Sequence, residues 1–404
     1  MRIGKTLPPA AAPIFFSDIL KGLCTLNDAG KSLNELRQSI MGYFGVKYCF
    51  LLSSGKAAIS VSLKALSKLL PGRRQVIIPA FNCYSVPSAI VNAGFSVYPC
   101  DIDPHTLQIE PQSLKEALSH SDKILAIIPA HLFGLPAPIP WIYQKASAAG
   151  VPVIEDAAQA MGSRFEGKLL GAGADIGIFS LSRGKALSTG EGGIIITSRD
   201  DLAETIEEIV NSLPQPPIFQ SLKIIIQNIA LFLFIHPYLF WLPHSLPFLK
   251  LGETVFNSNF DVYQLGEFQA GTASAWITKL KHFLNERHIR NRFYSDNLHG
   301  VEGIVQITTL FPSSDLTGVR FPLQIIRKHH AEKILQICSE KGLGVSKTYP
   351  DIINHISELN ISSELKCENA QSILKNLITL PSHPLVSFKD METIVKIIKS
   401  VVSS

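Results

Sequence analysis

Two residues of this sequence have side chains and positions that suit covalent chemistry, Asp156 and Lys185. Asp156 lies where an apolar run at 151–154 ends in acidic residues. Lys185 lies beyond a second strand-like run at 176–180 and is followed by the glycine-rich turn 190–193. Because parallel strands bring their last residues to one edge of a sheet, we expect both side chains at that edge.

A lysine amine and a buried carboxylate at neighbouring strand ends are the side chains that pyridoxal phosphate requires. The amine of Lys185 would form a Schiff base, and the carboxylate of Asp156 would keep the pyridine nitrogen protonated. Taken singly, an aspartate at a strand end is more often a turn residue, and a lysine beside glycines is more often solvated. Neither residue alone therefore indicates a cofactor site, but the two together do.

The elements that would position this pair alternate between strand and helix along residues 48–210. Such alternation favours right-handed crossovers and a mostly parallel sheet with ligands at its carboxyl edge. The first predicted strand, 48–52, ends in a turn of small residues at 53–58, and a helical run follows. Backbone N–H groups and the positive end of a helix dipole meet at such a turn and suit a phosphate group. Without its context, an ordinary strand-to-helix connection is the more frequent interpretation.

Composition and charge exclude several classes of protein. The 404 residues are 46% apolar and 17% charged, which excludes an intrinsically disordered chain. The formal charge of +4 is mild and no block of lysine and arginine occurs, so nucleic-acid binding is not predicted. The six cysteines are dispersed without a CxxC pair, which indicates reduced thiols and a cytoplasmic location, and no metal site is predicted. Prolines at 8, 9 and 13 predict an extended N-terminal arm rather than a secretory signal.

Six segments spread over nearly the whole chain together resemble one enzyme family. They are SSGKAAI, IIPAFNCYSVPSAIVNAG followed by DID, IIPAHLFG, VIEDAAQAMGS, FSLSRGKALSTGEGGIIIT and ITLPSHPLVS. The combination is similar to the DegT/DnrJ/EryC1/StrS aminotransferases, fold-type I pyridoxal phosphate enzymes that mostly aminate keto sugars attached to nucleotides. The resemblance implies an α/β fold with a mostly parallel sheet of the seven-stranded type flanked by helices, and a smaller C-terminal α/β domain. It also implies pyridoxal 5'-phosphate as the cofactor and a homodimer.

The resemblance assigns roles to individual residues. Asp156 matches the partner of the pyridine nitrogen, Lys185 the covalent attachment point and proton shuttle, and Ser180 a phosphate ligand. Gln159 matches the polar residue beside the ring hydroxyl. The phosphate-binding turn corresponds to Ser54, Gly55, Lys56 and Ala57.

Several positions depart from the family pattern. Lys56 stands where a threonine is usual, so an ammonium would replace a hydroxyl contact to phosphate. The aromatic residue expected to stack on the cofactor falls near Cys83, with Tyr84 adjacent, and both remain candidates. Val262 and Gln264 replace an asparagine and an arginine of the family, which puts a phosphate contact from a neighbouring subunit in doubt.

An uncharged apolar segment at 224–249 is unusual for the family. Its prolines interrupt it, whereas a membrane-spanning helix needs roughly 20 unbroken apolar residues, so no spanning segment is predicted. Three interpretations remain. The segment would form a hairpin buried in a dimer interface, or dip into a membrane surface as a peripheral contact, with Tyr238 and Trp241 at the headgroups, or act as a lid over a lipophilic substrate.

We divide the chain into an N-terminal arm (1–30), a large cofactor-binding domain (31–222), the apolar insertion (223–256) and a small C-terminal domain (257–404). Candidate substrate contacts are His131 and Phe133, in a loop after a predicted strand, and Arg320 and His383, in the small domain. For Arg320 and His383, a solvated surface position is the favoured interpretation.

These inferences predict a pyridoxal phosphate-dependent aminotransferase. Its predicted location is the cytoplasm, and the apolar insertion would allow it to associate with a membrane there. An amino acid donor, glutamate by the resemblance, would give its amino group to a keto substrate, a nucleotide-linked or lipid-linked keto sugar. Related dehydratases replace the lysine, commonly by histidine, whereas Lys185 is present here. The alternative is a non-catalytic regulatory or membrane-associated scaffold protein of the same fold.

Overall fold

The computed structural model describes residues 3–246, 254–307 and 317–404. Residues 247–253 of the predicted apolar insertion lie outside this described part of the chain. Within the described ranges the chain forms a large sheet, a small sheet and a short hairpin, with helices packed around both sheets.

The strands up to residue 197 follow the predicted alternation. They are β1 (Tyr48–Leu52), β2 (Gln75–Pro79), β3 (Ser96–Cys100), β4 (Ile124–Ile127), β5 (Ile154–Asp156), β6 (Arg164–Phe165), β7 (Lys168–Leu169), β8 (Ile176–Ser180) and β9 (Gly193–Thr197). β6 and β7 pair only with each other. The other strands form one sheet in the spatial order β1-β9-β8-β5-β4-β2-β3, in which two backbone bridges join β4 to β5. Only β9 runs antiparallel to its described neighbours, so the predicted mostly parallel sheet is confirmed.

Helices connect these strands and continue beyond the last one. They are α1 (Phe16–Cys24), α2 (Lys31–Phe44), α3 (Gly55–Leu69), α4 (Ser85–Asn92), α5 (Pro111–Leu118), α6 (Ile139–Ala148), α7 (Asp200–Ser212), α8 (Ile218–Phe234), α9 (Trp241–His244), α10 (Glu267–Thr272) and α11 (Trp276–Leu298).

Alternating residues of β8 show how the large sheet is buried on both faces. Ile178 packs into a core shared with α3, α4 and α7, whereas its neighbour Phe179 packs into a core shared with α2, α10 and α11. A strand covered on both faces reads as a continuous apolar run, because successive side chains point to opposite faces. Polar residues of such a strand are therefore tolerated mainly at its ends, where Asp156 and Ser180 lie.

The small sheet lies within the C-terminal third of the chain. Its strands β10 (Ile304–Gln306), β11 (Arg320–Ile325) and β12 (Leu377–Pro381) pair antiparallel in this order. The helices α12 (Lys328–Glu340), α13 (Glu368–Asn376) and α14 (Phe388–Val402) complete this region. Apolar residues of α11, α12 and α14 form a separate core with the sheet, which anchors the small sheet independently of the large one.

Residues 3–15 of the N-terminal arm precede α1 and are fixed to the C-terminal region at several points. The amide of Leu7 donates to the carbonyl of Gly342 at 2.9 Å, and the ammonium of Lys5 lies 2.6 Å from a carboxylate oxygen of Asp390. At the residue after Leu7, the carbonyl oxygen of Pro8 lies 2.8 Å from Nε2 of His383. Because a carbonyl only accepts, His383 donates this bond from Nε2 and is fully buried while doing so.

The apolar insertion forms α8 and α9, so its helix begins before the uncharged run and ends three residues before Pro237. Only Ile224 and Asn228 of α8 are buried, while Ile226, Ile229 and Leu233 are exposed. No helix of the described residues combines the length and the apolarity that crossing a membrane requires.

The buried His383 predicts a pH-dependent loss of stability. Burial lowers its pKa to about 3, whereas an unfolded histidine titrates at about 6.5. The unfolded chain therefore binds the extra proton first, so this contribution is complete above pH ~6.5 and is lost as the pH falls towards ~3. Between these limits, His383→Gln should reduce the slope of the unfolding free energy against pH by up to about 1.4 kcal/mol per pH unit. Urea denaturation at several pH values measures this slope.

His299→Gln provides the matched control, because His299 is exposed in the same region of the chain. Its slope should equal that of the parent protein. Equal slopes for His383→Gln and the parent would contradict the neutral buried state of this ring.

Candidate active site

Two adjoining cavities lie at the carboxyl edge of the large sheet. The smaller, of about 180 Å³, is lined by residues that include Ser54, Asp156 and Ser180. The larger, of about 530 Å³, lies next to it and is lined mainly by residues from the N-terminal arm, the insertion and the small-sheet region. Both are lined by Cys83, Ser85, Gln159 and Lys185, so the two spaces meet at the candidate catalytic lysine.

Asp156 lies at the end of β5, as predicted, with its side chain in the smaller cavity. Its Oδ1 accepts a hydrogen bond of 3.0 Å from the amide of Ala158, which orients the carboxylate. Burial raises the pKa of Asp156, and the charges of Lys185 and His131 oppose this rise. A cation placed in the cavity would add to that opposition, which is the environment that a protonated ring nitrogen provides.

Lys185 lies in the loop after β8, where its side chain lines both cavities. Its Nζ has no hydrogen bond or ion pair with any residue in the described ranges. The backbone, by contrast, is held on both sides. The amide of Lys185 donates to the carbonyl of Ser182 at 3.3 Å, and its carbonyl accepts from Nη2 of Arg287 at 2.9 Å. The site thus presents a free amine on a fixed backbone.

The predicted phosphate-binding turn forms the N-terminus of α3. Ser54 caps the helix by accepting the amide of Ala57 at 3.1 Å, and helix geometry leaves the amides of Gly55 and Lys56 without intrahelical acceptors. A Cβ atom on Gly55 would lie 3.0 Å from Cβ of Ser180, so glycine keeps the turn open towards the strand end. With the helix dipole and the Ser180 hydroxyl, these groups have the chemistry that suits an anion.

Lys56 lines the same cavity, but its ammonium has an aromatic partner. Its Nζ lies 4.2 Å from the ring centroid of Phe260, which is a cation–π contact. Burial lowers the pKa of Lys56, while the carboxylate of Glu191 favours its charged form. The expected contact of the ammonium with phosphate remains a prediction.

Gln159 is fixed between two elements of the site. Its Oε1 accepts the amide of Phe133 at 3.1 Å, and its Nε2 lies 3.4 Å from the hydroxyl of Tyr349. Phe133 has a φ of 60°, a left-handed conformation that is strained for a residue with a bulky side chain. Phe133 and Tyr349 both line the larger cavity, so Gln159 links the cofactor side to the substrate side.

His131 lines the smaller cavity with both ring nitrogens engaged. Nδ1 accepts the amide of Ala137 at 2.8 Å, and Nε2 lies 2.7 Å from Oε1 of the buried Glu155. A neutral ring with these partners carries its proton on Nε2. Both nitrogens are therefore bonded to the protein, and His131 can contact a ligand only through the face or the carbon atoms of its ring.

Of the two candidates for stacking on the cofactor, only Cys83 reaches the site. Its side chain lines both cavities, and its Sγ lies 3.3 Å from Oγ of Ser85. Tyr84 lines neither cavity and packs in the core with α3 and α4, where burial raises its pKa to about 12. An aromatic ring from this segment therefore does not cover the cavity.

The two substrate-contact candidates of the C-terminal region lie in different surroundings. Arg320 lines the larger cavity from β11 and is partly buried. His383 lines neither cavity, because it is fully buried against the arm. The expectation of a solvated surface position is wrong for His383, because the arm covers its ring. Arg320 is partly buried and lines the cavity rather than the outer surface.

Val262 and Gln264 lie near the phosphate turn and line neither cavity. Val262 packs at the edge of the core beside α3, and Gln264 forms a backbone bridge with Leu52 while its amide donates to the carbonyl of Val210 at 3.0 Å. The backbone of Gln264 therefore supports the end of β1, and its side chain joins this segment to α7.

Sequence reasoning missed several residues at the site. Arg183 and Ser182 lie within the segment FSLSRGK, and Glu191 lies within the glycine-rich turn. Their closeness to Lys185 in the sequence could have predicted that they line the site. Tyr349 and Arg287 lie far from these motifs, and no local pattern marks either one. Only the packing of the C-terminal region against the large sheet brings Tyr349 to the larger cavity and Arg287 to the backbone of the lysine loop.

A sequence profile of the DegT/DnrJ/EryC1/StrS aminotransferase family matches residues 17–216 and 251–399. The chain belongs to this family. Its fold is that of the fold-type I pyridoxal phosphate-dependent transferases. The interruption between the matched parts coincides with α8 and α9, which are therefore additions to the common family pattern.

Individual relatives match over part of their length. The L-glutamine:2-deoxy-scyllo-inosose aminotransferase of Streptomyces fradiae is 32% identical over 167 residues, which are 41% of this chain and 38% of that protein. The UDP-2-acetamido-2-deoxy-3-oxo-D-glucuronate aminotransferase of Pseudomonas aeruginosa is 35% identical over 181 residues, 45% of this chain and 49% of that protein. The chain thus spans less than half the length of these curated relatives.

The fold matches over a greater length than the sequence does. The structure of PseC of Helicobacter pylori, described as an aminotransferase involved in the biosynthesis of pseudoaminic acid, matches with a TM-score of 0.78 at 16% identity. The match covers 99% of this chain and 100% of that one. This likeness shows a shared fold.

Pyridoxal 5'-phosphate is the cofactor of this family, and the residues of the smaller cavity fit it. The open N-terminus of α3 and the hydroxyl of Ser180 suit its phosphate, and Asp156 suits its ring nitrogen. The unengaged amine of Lys185 lines the same cavity and suits covalent attachment.

Arg287 offers a test of how the lysine loop is held. Its guanidinium is fully buried and donates to the carbonyls of Lys185 and Ala186 at 2.9 Å each. Arg287→Met removes these donors and leaves buried carbonyls unpaired, at a cost of about 1–3 kcal/mol each. We expect the unfolding free energy to fall by roughly 2–4 kcal/mol, measured by urea denaturation.

Arg292→Met, at an exposed position of the same helix, is the matched control and should change stability by less than about 0.5 kcal/mol. If Arg287→Met is as stable as that control, the guanidinium does not hold the loop.

Proposed function

We propose that the protein is a pyridoxal phosphate-dependent aminotransferase. It takes an amino group from an amino acid donor, glutamate, and transfers it to a keto substrate of the nucleotide-linked or lipid-linked keto sugar class. The observation that carries this proposal is the free amine of Lys185 at the junction of two cavities, with Asp156 in the smaller one. The named relatives support it, since one is called a UDP-linked oxo-sugar acid aminotransferase and another an inosose aminotransferase.

The residues of the chain divide the work between them. When bound, pyridoxal phosphate supplies a positively charged ring that withdraws electrons from the reacting carbon. Asp156 holds the proton on the ring nitrogen, and the first turn of α3 with Ser180 binds the phosphate. The amine of Lys185 takes the proton from the donor's α-carbon and returns a proton to the acceptor carbon.

Arg320 is the group that we assign to the donor carboxylate. Its Nη1 has only long hydrogen bonds, to Oγ of Ser346 at 3.3 Å and to Oγ1 of Thr379 at 3.4 Å. No carboxylate of the described residues forms an ion pair with it, and burial lowers its pKa. A ligand carboxylate would supply the missing partner, and a planar guanidinium binds a carboxylate with two parallel bonds.

The exposed apolar stripe on α1 supports a homodimer. Phe16, Leu20 and Leu23 are 57%, 45% and 41% exposed, and they lie on one side of the helix at spacings of four and three residues. The ring of Phe16 also lies 6.0 Å from that of Phe232, which extends the surface to α8. A second copy of the chain covering this stripe would remove an apolar patch from water. We propose that the domain division at 1–30, 31–222, 223–256 and 257–404 holds within each copy.

The amino-donor reaction tests the proposed function without any keto substrate. Adding L-glutamate to the full chain loaded with pyridoxal phosphate should remove the visible absorbance band of the lysine-bound cofactor. Lys185→Ala should lack that band and lose turnover by at least a hundredfold, because no other amine can replace it. Absorbance spectra between 330 and 430 nm measure both.

Lys168→Ala is the matched control, since Lys168 is exposed on the hairpin of β6 and β7. It should keep both the band and the rate. A Lys185→Ala protein that turned over at the parent rate would refute the assignment.

The dimer is tested by light scattering after size-exclusion chromatography. Leu20→Glu combined with Leu23→Glu should shift the mass from two chains to one, since the substitution buries charge in the interface. Leu69→Glu, at an exposed leucine of α3, should leave the mass unchanged. An unchanged mass for the double variant, with sedimentation of the parent on lipid vesicles that Ile226→Glu abolishes, would favour the membrane-contact interpretation instead.

A further inference from the structure

The helix α8 lies outside the parts of the chain that match the family profile, yet it is joined to the catalytic loop. The fully buried Asn228 donates from Nδ2 to the carbonyl of Thr189 at 3.1 Å. The neighbouring Gln227 donates from Nε2 to the carbonyl of Gly190 at 3.3 Å. Gly190 has a φ of 85°, and a Cβ atom there would overlap the amide of Asn228. The insertion is therefore seated on the glycine-rich turn and forms a wall of the site.

Residues of this insertion line part of the larger cavity, which also holds the candidate catalytic lysine. Their contribution is mostly apolar and includes Ala230, Leu231, Phe234, Ile235, Phe240 and Pro243. The remainder of the lining includes Lys185, Gln159, Arg320 and Tyr349. A ligand that reacts at Lys185 would thus meet both polar groups and hydrocarbon in this cavity.

The cavity face of α8 is apolar without serving as packing for a core. Only Ile224 and Asn228 of the helix are buried by the protein itself. Leu231 and Phe234 remain partly exposed to a space of about 530 Å³. Apolar side chains that face an open cavity are stabilised when a ligand covers them with apolar surface.

The charged groups of the cavity belong to elements other than the insertion. In the described part of the chain they are Arg183, Lys185 and Arg320. The insertion adds two polar side chains, Gln227 and Thr254, and both are already engaged. The amide of Gln227 donates to Gly190, and the hydroxyl of Thr254 lies 3.4 Å from Sγ of Cys83. A sugar hydroxyl placed against this wall would lose its water without gaining a partner, which is unfavourable, whereas a hydrocarbon group would gain by leaving water.

We propose that the insertion makes the acceptor site selective for a keto sugar that carries a hydrocarbon group, of the alkyl or acyl type, which lies along α8. The inference rests on the proposed function, because it concerns the acceptor of the same site. It assigns the keto carbon to Lys185, an anionic group to Arg183, and the hydrocarbon to Leu231 and Phe234.

Unreactive glycosides test the binding part of this proposal. Hexyl and methyl β-D-glucopyranoside differ only in the length of a hydrocarbon, and isothermal titration calorimetry with the full chain loaded with pyridoxal phosphate gives the affinity of each. We expect the hexyl compound to bind at least about tenfold tighter. Leu231→Gln should reduce this ratio by roughly fivefold or more, because it places an amide on the apolar wall.

Leu233→Gln is the matched control, since Leu233 lies two residues away on the same helix and is 46% exposed on its outer side. It should leave the ratio of the two affinities unchanged. Equal affinities of the two glycosides for the parent, or equal effects of the two substitutions, would overturn the proposal.

The amination step separates this proposal from the proposed function. Loss of the absorbance band with L-glutamate alone reports the aminotransferase activity. Return of the band is then followed with hexyl and methyl 3-oxo-glucosides and with a UDP-linked 3-oxo-sugar. A higher kcat/KM for the hexyl compound supports the proposal, whereas a preference for the UDP-linked sugar that Leu231→Gln does not alter refutes it with the aminotransferase intact. No band loss with glutamate would refute the proposed function, and the calorimetry would still decide the binding preference.

Discussion

The guanidinium of Arg287 joins three separate parts of the chain at the catalytic lysine. It comes from α11 and donates to the carbonyls of Lys185 and Ala186 in the loop after β8, and to that of Ala11 in the N-terminal arm. Burial lowers its pKa to about 10, and no carboxylate among the described residues pairs with it. A buried charge is costly, so its stability depends on these carbonyl dipoles. The loop therefore needs no regular structure of its own to present a fixed lysine.

Asp156 in the cofactor site is a second buried group whose charged form is destabilised by burial. Burial disfavours the charged carboxylate, and without a ligand the amide of Ala158 and the ammonium of Lys185 are the main groups that favour it. A cationic ring in the cavity would relieve this cost, so the arrangement stores free energy that binding releases. The hydrogen bonds of Gln159 and the strained φ of Phe133 serve the same end, because they hold the cavity in shape before the ligand arrives.

The insertion shows how a common scaffold acquires a different pocket. α8 adds no titratable group to the larger cavity and leaves the phosphate turn untouched. Through Asn228 it fixes an apolar surface beside the catalytic loop, and its outer side remains apolar as well. A helix that is apolar on all sides is usually covered on all sides. The inner side of α8 lines the larger cavity, where a ligand would cover it. The outer side continues into the apolar surface of α1 through the contact between Phe16 and Phe232, and a second copy of the chain would cover both.

Sequence alone predicts the sheet, the phosphate turn, and the positions of Asp156 and Lys185, because strand periodicity, turn chemistry and a helix start are local properties. It did not determine which of two adjacent residues reaches the cofactor, since Cys83 and Tyr84 differ only in how the start of α4 is turned against the core. The orientation of α8 was equally hidden, because one residue along a helix rotates a side chain by about 100°. Arg320 and His383 were misjudged for a related reason. Their surroundings come from the arm and the small sheet, hundreds of residues apart in sequence, and only tertiary packing places one in the cavity and the other beneath the arm.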